Sequence, residues 1–347
     1  MRIATLQFSP ALGDLEGNIS RANALLERDR GKLERLDVLV LPELAFTGYN
    51  FPSKEAIRPY LEGEGQGRTA EWAKETARRL GCKVCVGYAE IADGEGDGNR
   101  ERCYNSLLVV DEEGRVVWNY RKAFLYYTDE TWACEGEVVA RGSHVLDFRA
   151  RGGGPEETKQ ITTAFGICMD INPYKFEAPF TAWEFANRVL AAQAPLVILS
   201  MAWLTLASRE ELDALAGQPE MDTFQYWLRR FWPLVEQRMA HAESIVDHRD
   251  DAGAEDRPSK SVVLVFANRA GEEPAAAADK PPARYAGTST VVAITQPNPT
   301  RSQGTTGAAV APGDVKILCW DLMGATEEGV CFADTAAEPR MVFGLSG

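Results

Sequence analysis

Positive charge is scarce in this sequence of 347 residues. Lysine and arginine together number 37 against 51 aspartates and glutamates, so the formal net charge is −14 at pH 7, and no basic run occurs. Proteins that bind nucleic acid or anionic membranes rely on clustered positive charge. The composition therefore argues against both partners, and it mildly favours cationic ones such as a free α-amino group.

Long apolar runs and histidines are also scarce. No stretch approaches the ~18 apolar residues of a membrane span, and residues 2–8 have a strand pattern rather than that of a signal peptide. We therefore expect an intracellular protein, cytoplasmic or also nuclear, without membrane contact. The three histidines, His144, His241 and His248, have no zinc spacing. We accordingly expect no metal and no cofactor.

The seven cysteines form no disulfide framework, because their number is odd and they are scattered along the chain. Cys82 and Cys85 do make a CxxC motif, but it falls on a predicted strand at residues 83–88. Side chains three positions apart on a strand point to opposite faces of the sheet. We therefore expect these two thiols to pack in the interior rather than to bind metal or undergo redox chemistry.

Strand and helix patterns alternate through the first two thirds of the chain, which predicts a single α/β (α+β) domain over residues 1–347, with a mixed sheet and helices outside it. A helix is predicted over residues 179–192, and a long aromatic helix or helix pair over residues 219–245. Three segments rich in Gly, Pro, Ala or charge are expected to be flexible inserts: residues 93–102, 272–282 and 296–313.

Three chemically active side chains fall at the ends of predicted strands. Cys168 closes an apolar run that starts at residue 161, Glu43 follows the run 38–42, and Lys122 follows the run 116–121. Amide hydrolysis by a thiol needs a base, a positive charge for the oxyanion, and a proton for the leaving ammonia. Taken singly, each residue has an ordinary explanation: a core cysteine, a solvated loop glutamate and a surface lysine.

The sequence around these residues separates the alternatives. Residues 42–49 (PELAFTGY), 120–122 (YRK) and 166–170 (GICMD) resemble, in order, the three motifs of the nitrilase (carbon–nitrogen hydrolase) superfamily. Longer words at 119–126, 173–180, 201–204, 226–231 and 267–271 resemble the branch of fungal amidohydrolases that act on the N-terminal asparagine of proteins.

The resemblance implies a four-layer α-β-β-α sandwich with a Glu43–Lys122–Cys168 triad. It also implies a second catalytic glutamate eight residues after the lysine, at Glu130, which could otherwise be a surface loop acid. The implied reaction is deamidation of an N-terminal Asn or Gln of a protein or peptide, through a cysteine thioester, in the N-degron pathway. The alternatives are a small-molecule amidase of the same superfamily and a catalytically silent binding protein. Members often pair through the helix after the nucleophile, so the chain is expected to be a homodimer or, if its own tail covers that surface, a monomer.

Substrate binding has weaker candidates. The backbone N–H of Met169, directly after the nucleophile, can donate to the oxyanion. Trp203 lies where members of the superfamily line the pocket, although it could be a core tryptophan. A strand that continued past Cys168 would put Asp170 on the same side as the thiol, where it could meet the substrate's α-ammonium or pair with Lys175. Further candidates for that ammonium are Asp129 and Glu177.

Overall fold

The computed structural model describes residues 1–93, 101–137, 142–149, 158–241, 245–246, 259–277, 279–297 and 310–344. The strands in these ranges are β1 Arg2–Gln7, β2 Val38–Val40, β3 Lys83–Ala92, β4 Arg102–Val110, β5 Val116–Arg121, β6 Ser143–Arg149, β7 Thr158–Ile167, β8 Leu196–Ser200, β9 Lys260–Ala267, β10 Glu272–Glu273, β11 Ala283–Arg284, β12 Thr290–Gln296, β13 Lys316–Leu322, β14 Gly329–Asp334 and β15 Met341–Gly344.

The α-helices in the same ranges are α1 Leu15–Arg28, α2 Lys54–Ile57, α3 Gly67–Leu80, α4 Glu184–Ala191, α5 Arg209–Ala214, α6 Met221–Arg229 and α7 Pro233–Glu236. Short 3-10 helices cover Arg30–Leu33, Arg58–Tyr60, Asp129–Thr131, Cys168–Ile171, Tyr174–Phe176, Phe180–Ala182 and Pro312–Asp314. None of the described helices combines the length and the apolar composition that crossing a bilayer requires.

Two large mixed sheets form the centre of the molecule. The first has six strands in the order β14-β1-β2-β3-β4-β5, and the second has seven in the order β15-β13-β12-β9-β8-β7-β6. The pairs β1–β2, β2–β3, β7–β8 and β8–β9 are parallel. The central strands are buried on both faces, as their nearly continuous apolar sequences require.

Helices cover the outer face of each sheet, which gives four layers. On β2, Val38 and Val40 contribute to the core between the sheets, whereas Leu39 packs in the core shared with α1 and α3. Outside the second sheet, the ring of Trp227 on α6 stacks on Phe266 of β9 with a centroid separation of 4.9 Å. The predicted α-β-β-α sandwich is therefore confirmed.

The strand directions bring several strand ends to one edge of the sandwich. Because β5 is antiparallel to β4, and β4 to β3, strand β5 runs in the same direction as β2 and β3. The segments after β2 and β5 therefore leave the first sheet at the same edge. At that edge the Ser200 hydroxyl, at the end of β8, donates to the Leu41 carbonyl at 2.9 Å and so links the two sheets.

The two thiols of the CxxC motif pack in the interior as predicted, and some helix boundaries differ from expectation. Cys82 packs in the outer core and Cys85 in the core between the sheets. The helix predicted over 179–192 reduces to α4, because Trp183 adopts a left-handed conformation with φ 41° and separates it from the preceding 3-10 turn. The helix pair predicted over 219–245 ends at Glu236, where α7 stops.

The predicted inserts fall partly outside the described residues, namely at 94–100, 278 and 298–309. The segment 272–282 starts at the exposed Glu272, but its second residue, Glu273, lies inside the fold. The buried Glu273 carboxylate accepts hydrogen bonds from the Tyr49 and Asn50 backbone N–H groups and from the Tyr285 hydroxyl, and it pairs with Arg269. These bonds anchor the start of that segment to the loop after β2.

Candidate active site

Glu43 is buried directly beyond β2, in a loop that packs tightly on β3. Gly87 makes the approach possible, because a Cβ atom there would lie 2.7 Å from the Glu43 Cα. The Glu43 Oε1 accepts from Lys122 Nζ at 2.6 Å and from Asn105 Nδ2 at 2.7 Å, and Oε2 accepts from the Ala202 N–H at 2.8 Å. Burial raises the pKa of Glu43, the Asp129 charge adds to this rise, and Lys122 opposes it.

Lys122 follows β5 and shares its ammonium between two buried carboxylates. Its Nζ lies 2.6 Å from Glu43 Oε1 and 2.6 Å from Asp129 Oδ2. Burial alone would lower the pKa of Lys122, but the charges of Asp129 and Glu43 outweigh burial, so the net shift is upward. The ammonium therefore keeps its proton throughout the physiological range.

Cys168 stands at the turn where β7 ends and a short 3-10 helix begins. Its φ of 42° is in the left-handed region, which is uncommon for a residue with a side chain and is often found at functional sites. Gly166 allows the turn to sit close to α4, because a Cβ there would lie 2.6 Å from the Phe185 ring. Burial and then the Glu43 charge raise the pKa of the Cys168 thiol, while Lys122 and the Ala202 N–H lower it. The resting group is therefore a thiol that needs a base.

Asp170 does not face the substrate as the sequence predicted. The strand ends at Ile167, so the two-residue alternation stops before Asp170, and the helical turn directs its side chain into the protein. Its Oδ1 accepts from the Ala123 and Phe124 N–H groups, and its Oδ2 accepts from the Ile167 N–H and the Tyr120 hydroxyl, at 2.7–3.0 Å. All its main acceptor positions are used, so Asp170 holds the nucleophile turn rather than an α-ammonium.

The acid beside Lys122 is Asp129, and the prediction of Glu130 for that place is wrong. Both residues belong to one 3-10 helix, in which neighbouring side chains point in different directions. Asp129 is buried, with Oδ1 3.0 Å from Asn105 Nδ2 and Oδ2 3.0 Å from the Tyr126 N–H. Glu130 is exposed.

The remaining predicted residues are Met169, Trp203 and Glu177. Met169 is the second residue of the 3-10 helix that starts at Cys168, and N–H groups in a first helical turn lack partners within the helix. Trp203 is half-buried, with its ring 5.5 Å from Tyr226 and 5.9 Å from Trp227. Glu177 is exposed on the loop after the nucleophile.

Sequence reasoning missed three contributors. Asn105 joins the carboxylates of Glu43 and Asp129, and the Ala202 N–H holds Glu43. The Tyr49 ring centroid lies 5.7 Å from Lys122 Nζ. The available signal for Asn105 was the polar pair Asn105-Ser106, which precedes the apolar run 107–110 of β4. Across the described ranges, His, Cys, Asp and Glu side chains do not gather in threes that could hold a metal ion.

Comparisons with known proteins agree with this geometry. Residues 2–174 match the family Carbon-nitrogen hydrolase. The Protein N-terminal amidase of Schizosaccharomyces pombe is 31% identical over 248 residues, which cover 68% of this chain and 80% of that protein. The Protein N-terminal amidase of Saccharomyces cerevisiae is 32% identical over 215 residues, but these cover only 46% of its length and 60% of this chain.

Solved structures extend the match in fold. Complexes of N-terminal amidase with an Asn-Glu peptide and with a Gln-Val peptide each superpose with a TM-score of 0.71 over 96% of both chains, at 21% and 20% identity. The fold and the sequence matches together define a hydrolase of amide carbon–nitrogen bonds. The chain belongs to the carbon–nitrogen hydrolase family.

Proposed function

We propose that this chain is an amidohydrolase that converts the N-terminal asparagine, and also glutamine, of proteins and peptides to aspartate or glutamate with release of ammonia. The observation that carries the reaction type is the buried Lys122–Glu43 pair, 2.6 Å apart, whose two charges shift the pKa of the Cys168 thiol in opposite directions. The N-terminal substrate is supported by the two yeast relatives and by the Asn-Glu and Gln-Val peptides bound to structures of the same fold.

In the first half-reaction, Glu43 takes the proton of the Cys168 thiol, and the thiolate attacks the carboxamide carbon of the substrate. Negative charge then builds on the carboxamide oxygen, where the Lys122 ammonium and the Met169 N–H donate to it. The carbon–nitrogen bond breaks as Glu43 passes its proton to the leaving nitrogen. Ammonia departs, and the acyl group stays on Cys168 as a thioester.

In the second half-reaction, Glu43 is again a base. It takes a proton from a water molecule, whose oxygen attacks the thioester carbon. The thiolate leaves and recovers the proton from Glu43, so one amide and one water give one acid and one ammonia. The raised pKa of Glu43 suits a group that must both accept and return a proton near neutral pH.

The substrate's α-ammonium needs a counter-charge at the mouth of the site. The carboxylates of Asp129 and Asp170 are committed to bonds within the protein, whereas Glu177 is exposed on the loop that follows the nucleophile. We assign the counter-charge to Glu177 and one wall of the pocket to Trp203. Glu177→Gln should therefore raise KM for Asn-peptides with little effect on kcat.

The domain organisation, pathway, compartment and pairing surface of the chain can be proposed as well. We infer one domain across the chain and a role in exposing N-degrons, since the product would carry an acidic first residue. A reducing compartment such as the cytoplasm would keep the Cys168 thiol active. Helix α4 is the surface on which we would expect pairing if the chain dimerises.

A peptide panel tests the function. Asn- and Gln-peptides should release ammonia, and mass spectrometry should place the added mass on the first residue only. N-acetylated and internal Asn should be inert, because acetylation removes a charge-assisted hydrogen bond worth ~1.5–3 kcal/mol. Equal rates on Asn- and acetyl-Asn-peptides, or a preference for free asparagine or glutamine, would favour a general or small-molecule amidase instead.

Variants of Cys168 test the nucleophile. Cys168→Ala should abolish turnover with the fold intact, and Cys168→Ser should be nearly as inactive because a hydroxyl is much harder to deprotonate. The exposed Cys134→Ala is the control and should keep parental activity. Activity within tenfold of the parent in either Cys168 variant would refute the assignment.

A further inference from the structure

Three aromatic side chains form a continuous surface beside the catalytic residues. Tyr127 is 61% exposed and Phe176 is 46% exposed, which is unusual for rings of this size. Their centroids are 6.1 Å apart, and the half-buried Tyr126 ring lies 5.0 Å from Tyr127 and 6.3 Å from Phe176. We call Tyr126, Tyr127 and Phe176 the aromatic rim.

The backbone that carries the rim is bonded to the catalytic centre on both sides. Before the rim, the N–H groups of Ala123 and Phe124 donate to Asp170, which holds the nucleophile turn. Within it, the Tyr126 N–H donates to Asp129 Oδ2 at 3.0 Å, the oxygen that also binds Lys122. The segment 123–129 therefore spans the space between nucleophile and ammonium, and Tyr126 begins the surface that leads outward.

The loop after the nucleophile supplies the third ring, Phe176, and has an unusual backbone conformation there. Lys175 and Phe176 both have positive φ values, 53° and 55°, which side-chain-bearing residues seldom adopt. The loop is fixed by Tyr174, whose ring lies 5.0 Å from Phe124 and whose hydroxyl donates to Glu135 at 2.9 Å. The result brings Phe176 against Tyr126 and Tyr127, and such conformations are common at ligand-binding segments.

We propose that the aromatic rim binds the side chain of the substrate's second residue and favours apolar and aromatic side chains there. This inference rests on the proposed function, in which the first residue's carboxamide reaches Cys168. Successive Cα atoms are about 3.8 Å apart, so the second residue lies one such step further out than the first. The Tyr127 and Phe176 ring centroids lie 5.0 Å and 6.3 Å from that of Tyr126, and both rings are more exposed than Tyr126, so we place the second side chain against them.

The chemistry of the surface specifies the class of occupant. Aromatic faces gain most from apolar and aromatic partners, with which they pack edge to face or offset. A glycine at the second position would leave the rings exposed to water. A leucine or phenylalanine would cover them and remove apolar surface on both molecules.

The test uses Asn-peptides that differ only in the second residue, which is Gly, Leu or Phe. For the parent enzyme, KM should be about five- to tenfold lower with Leu or Phe than with Gly, the scale expected for partial burial of one apolar side chain. Tyr127→Ala and Phe176→Ala should each reduce this KM ratio several-fold. The ratio is measured within one variant, so a change in the amount of folded protein cancels.

Val342→Ala is the matched control, since Val342 is 52% exposed, between Phe176 and Tyr127, but lies on β15, an edge strand of the seven-stranded sheet. It should retain the parental ratio. Equal KM values for the Gly and Leu peptides in the parent, or an unchanged KM ratio in both rim variants, would contradict the proposed role of the aromatic rim. Neither result would affect the proposed function. A parent that releases no ammonia from any Asn-peptide would overturn the proposed function, and the rim with it.

Discussion

The side-chain amide of Asn105 bridges the two buried carboxylates of the site. Its Nδ2 lies 2.7 Å from Glu43 Oε1 and 3.0 Å from Asp129 Oδ1, and the backbone carbonyl of Asn105 accepts from the backbone N–H of Lys122 at 2.8 Å. We infer that Asn105 is a positioning residue, which keeps the two acids in place around one ammonium. Its bond is also one of the factors that lower the pKa of Glu43 against the effect of burial.

Replacing Asn105 by Leu should therefore shift the pH dependence of the reaction. The pKa of Glu43, already raised by burial, should rise further without this donor, so the acidic limb of kcat/KM should move to higher pH. Misplacement of Glu43 should also lower kcat about tenfold to hundredfold. The pH profile of kcat/KM on an Asn-peptide is the measurement.

Asn119→Leu is the matched control for Asn105. Asn119 is equally buried and also bonds a glutamate, with Nδ2 2.9 Å from Glu90 Oε2, but it belongs to the other face of the sheet from Lys122. Its loss should reduce stability without moving the acidic limb. A limb that moves equally in both variants, or in neither, would contradict the positioning role.

Lys122→Met removes the positive charge that we place beside the oxyanion and keeps the length of the side chain. If Lys122 donates to the developing negative charge, kcat should fall by at least ~10²-fold, the scale of losing one such donor. Lys83→Met is the control, because Lys83 is a buried lysine paired with Glu112 at 2.9 Å, away from the catalytic residues. Circular dichroism would establish that both variants fold. A change confined to KM would make Lys122 a binding residue instead.

Particular residues show what the sequence could predict and what it could not. Glu43, Lys122 and Cys168 could be predicted together, because each follows an apolar run and lies in a motif that resembles those of the nitrilase superfamily. The choice between Asp129 and Glu130 depends on the direction of adjacent side chains in one short 3-10 turn, which spacing alone does not fix. Asn105 was missed because its contact with Glu43 and Asp129 depends on which strands lie beside β4.

At the scale of elements, the turn between β7 and its 3-10 helix is held by one carboxylate. Three hydrogen bonds of 2.7–3.0 Å tie Asp170 to the end of β5 and the segment after it, and a fourth, from the Ile167 N–H at 2.7 Å, ties it to the end of β7. The sequence suggested a strand that continued, and a continued strand would have turned Asp170 toward the substrate. The positive φ of Cys168 ends the strand and so converts a predicted binding residue into a support for the nucleophile.

Asp170→Asn should weaken this element. The carboxylate now accepts four hydrogen bonds, and the Asn side chain would replace one of its two oxygens by an NH₂ group that faces two of the donors. Each buried group left unpaired costs about 1–3 kcal/mol. We predict a loss of about 2 kcal/mol or more in unfolding free energy and a fall in kcat, both measured against Asp147→Asn, an exposed aspartate on β6. Unchanged stability with a raised KM would return Asp170 to the substrate-binding residues.

At the scale of the whole molecule, the site exists only where the two sheets meet. Glu43, Asn105 and Lys122 come from the first sheet, whereas Cys168 and the Ala202 N–H come from the second. Placing ionisable groups in that interior has a consequence for stability. Burial raises the pKa values of Cys168, Cys331, Tyr49 and Tyr285, and the net shift of Lys122 is also upward because of its two acidic partners.

This set of shifts predicts alkaline instability. A group whose pKa is higher in the folded state contributes stability that is complete below its ordinary pKa and is lost as pH rises toward the folded value. The ordinary values are 9.0 for these thiols, 10.0 for the tyrosines and 10.5 for Lys122. Above about pH 9 the unfolded chain therefore releases protons that the folded one keeps, and each such group lowers the unfolding free energy by up to ~1.4 kcal/mol per pH unit.

Urea denaturation between pH 7 and pH 10.5 measures the effect. The unfolding free energy should be nearly flat up to pH 8.5 with respect to these groups and should then fall with a slope that steepens as the tyrosine and lysine values are passed. Cys331→Ala removes one buried thiol and should make the slope above pH 9 shallower, whereas the exposed Cys134→Ala should leave it unchanged. A midpoint that stays constant to pH 10.5, or equal slopes in both cysteine variants, would mean that these protons are not retained by the folded interior.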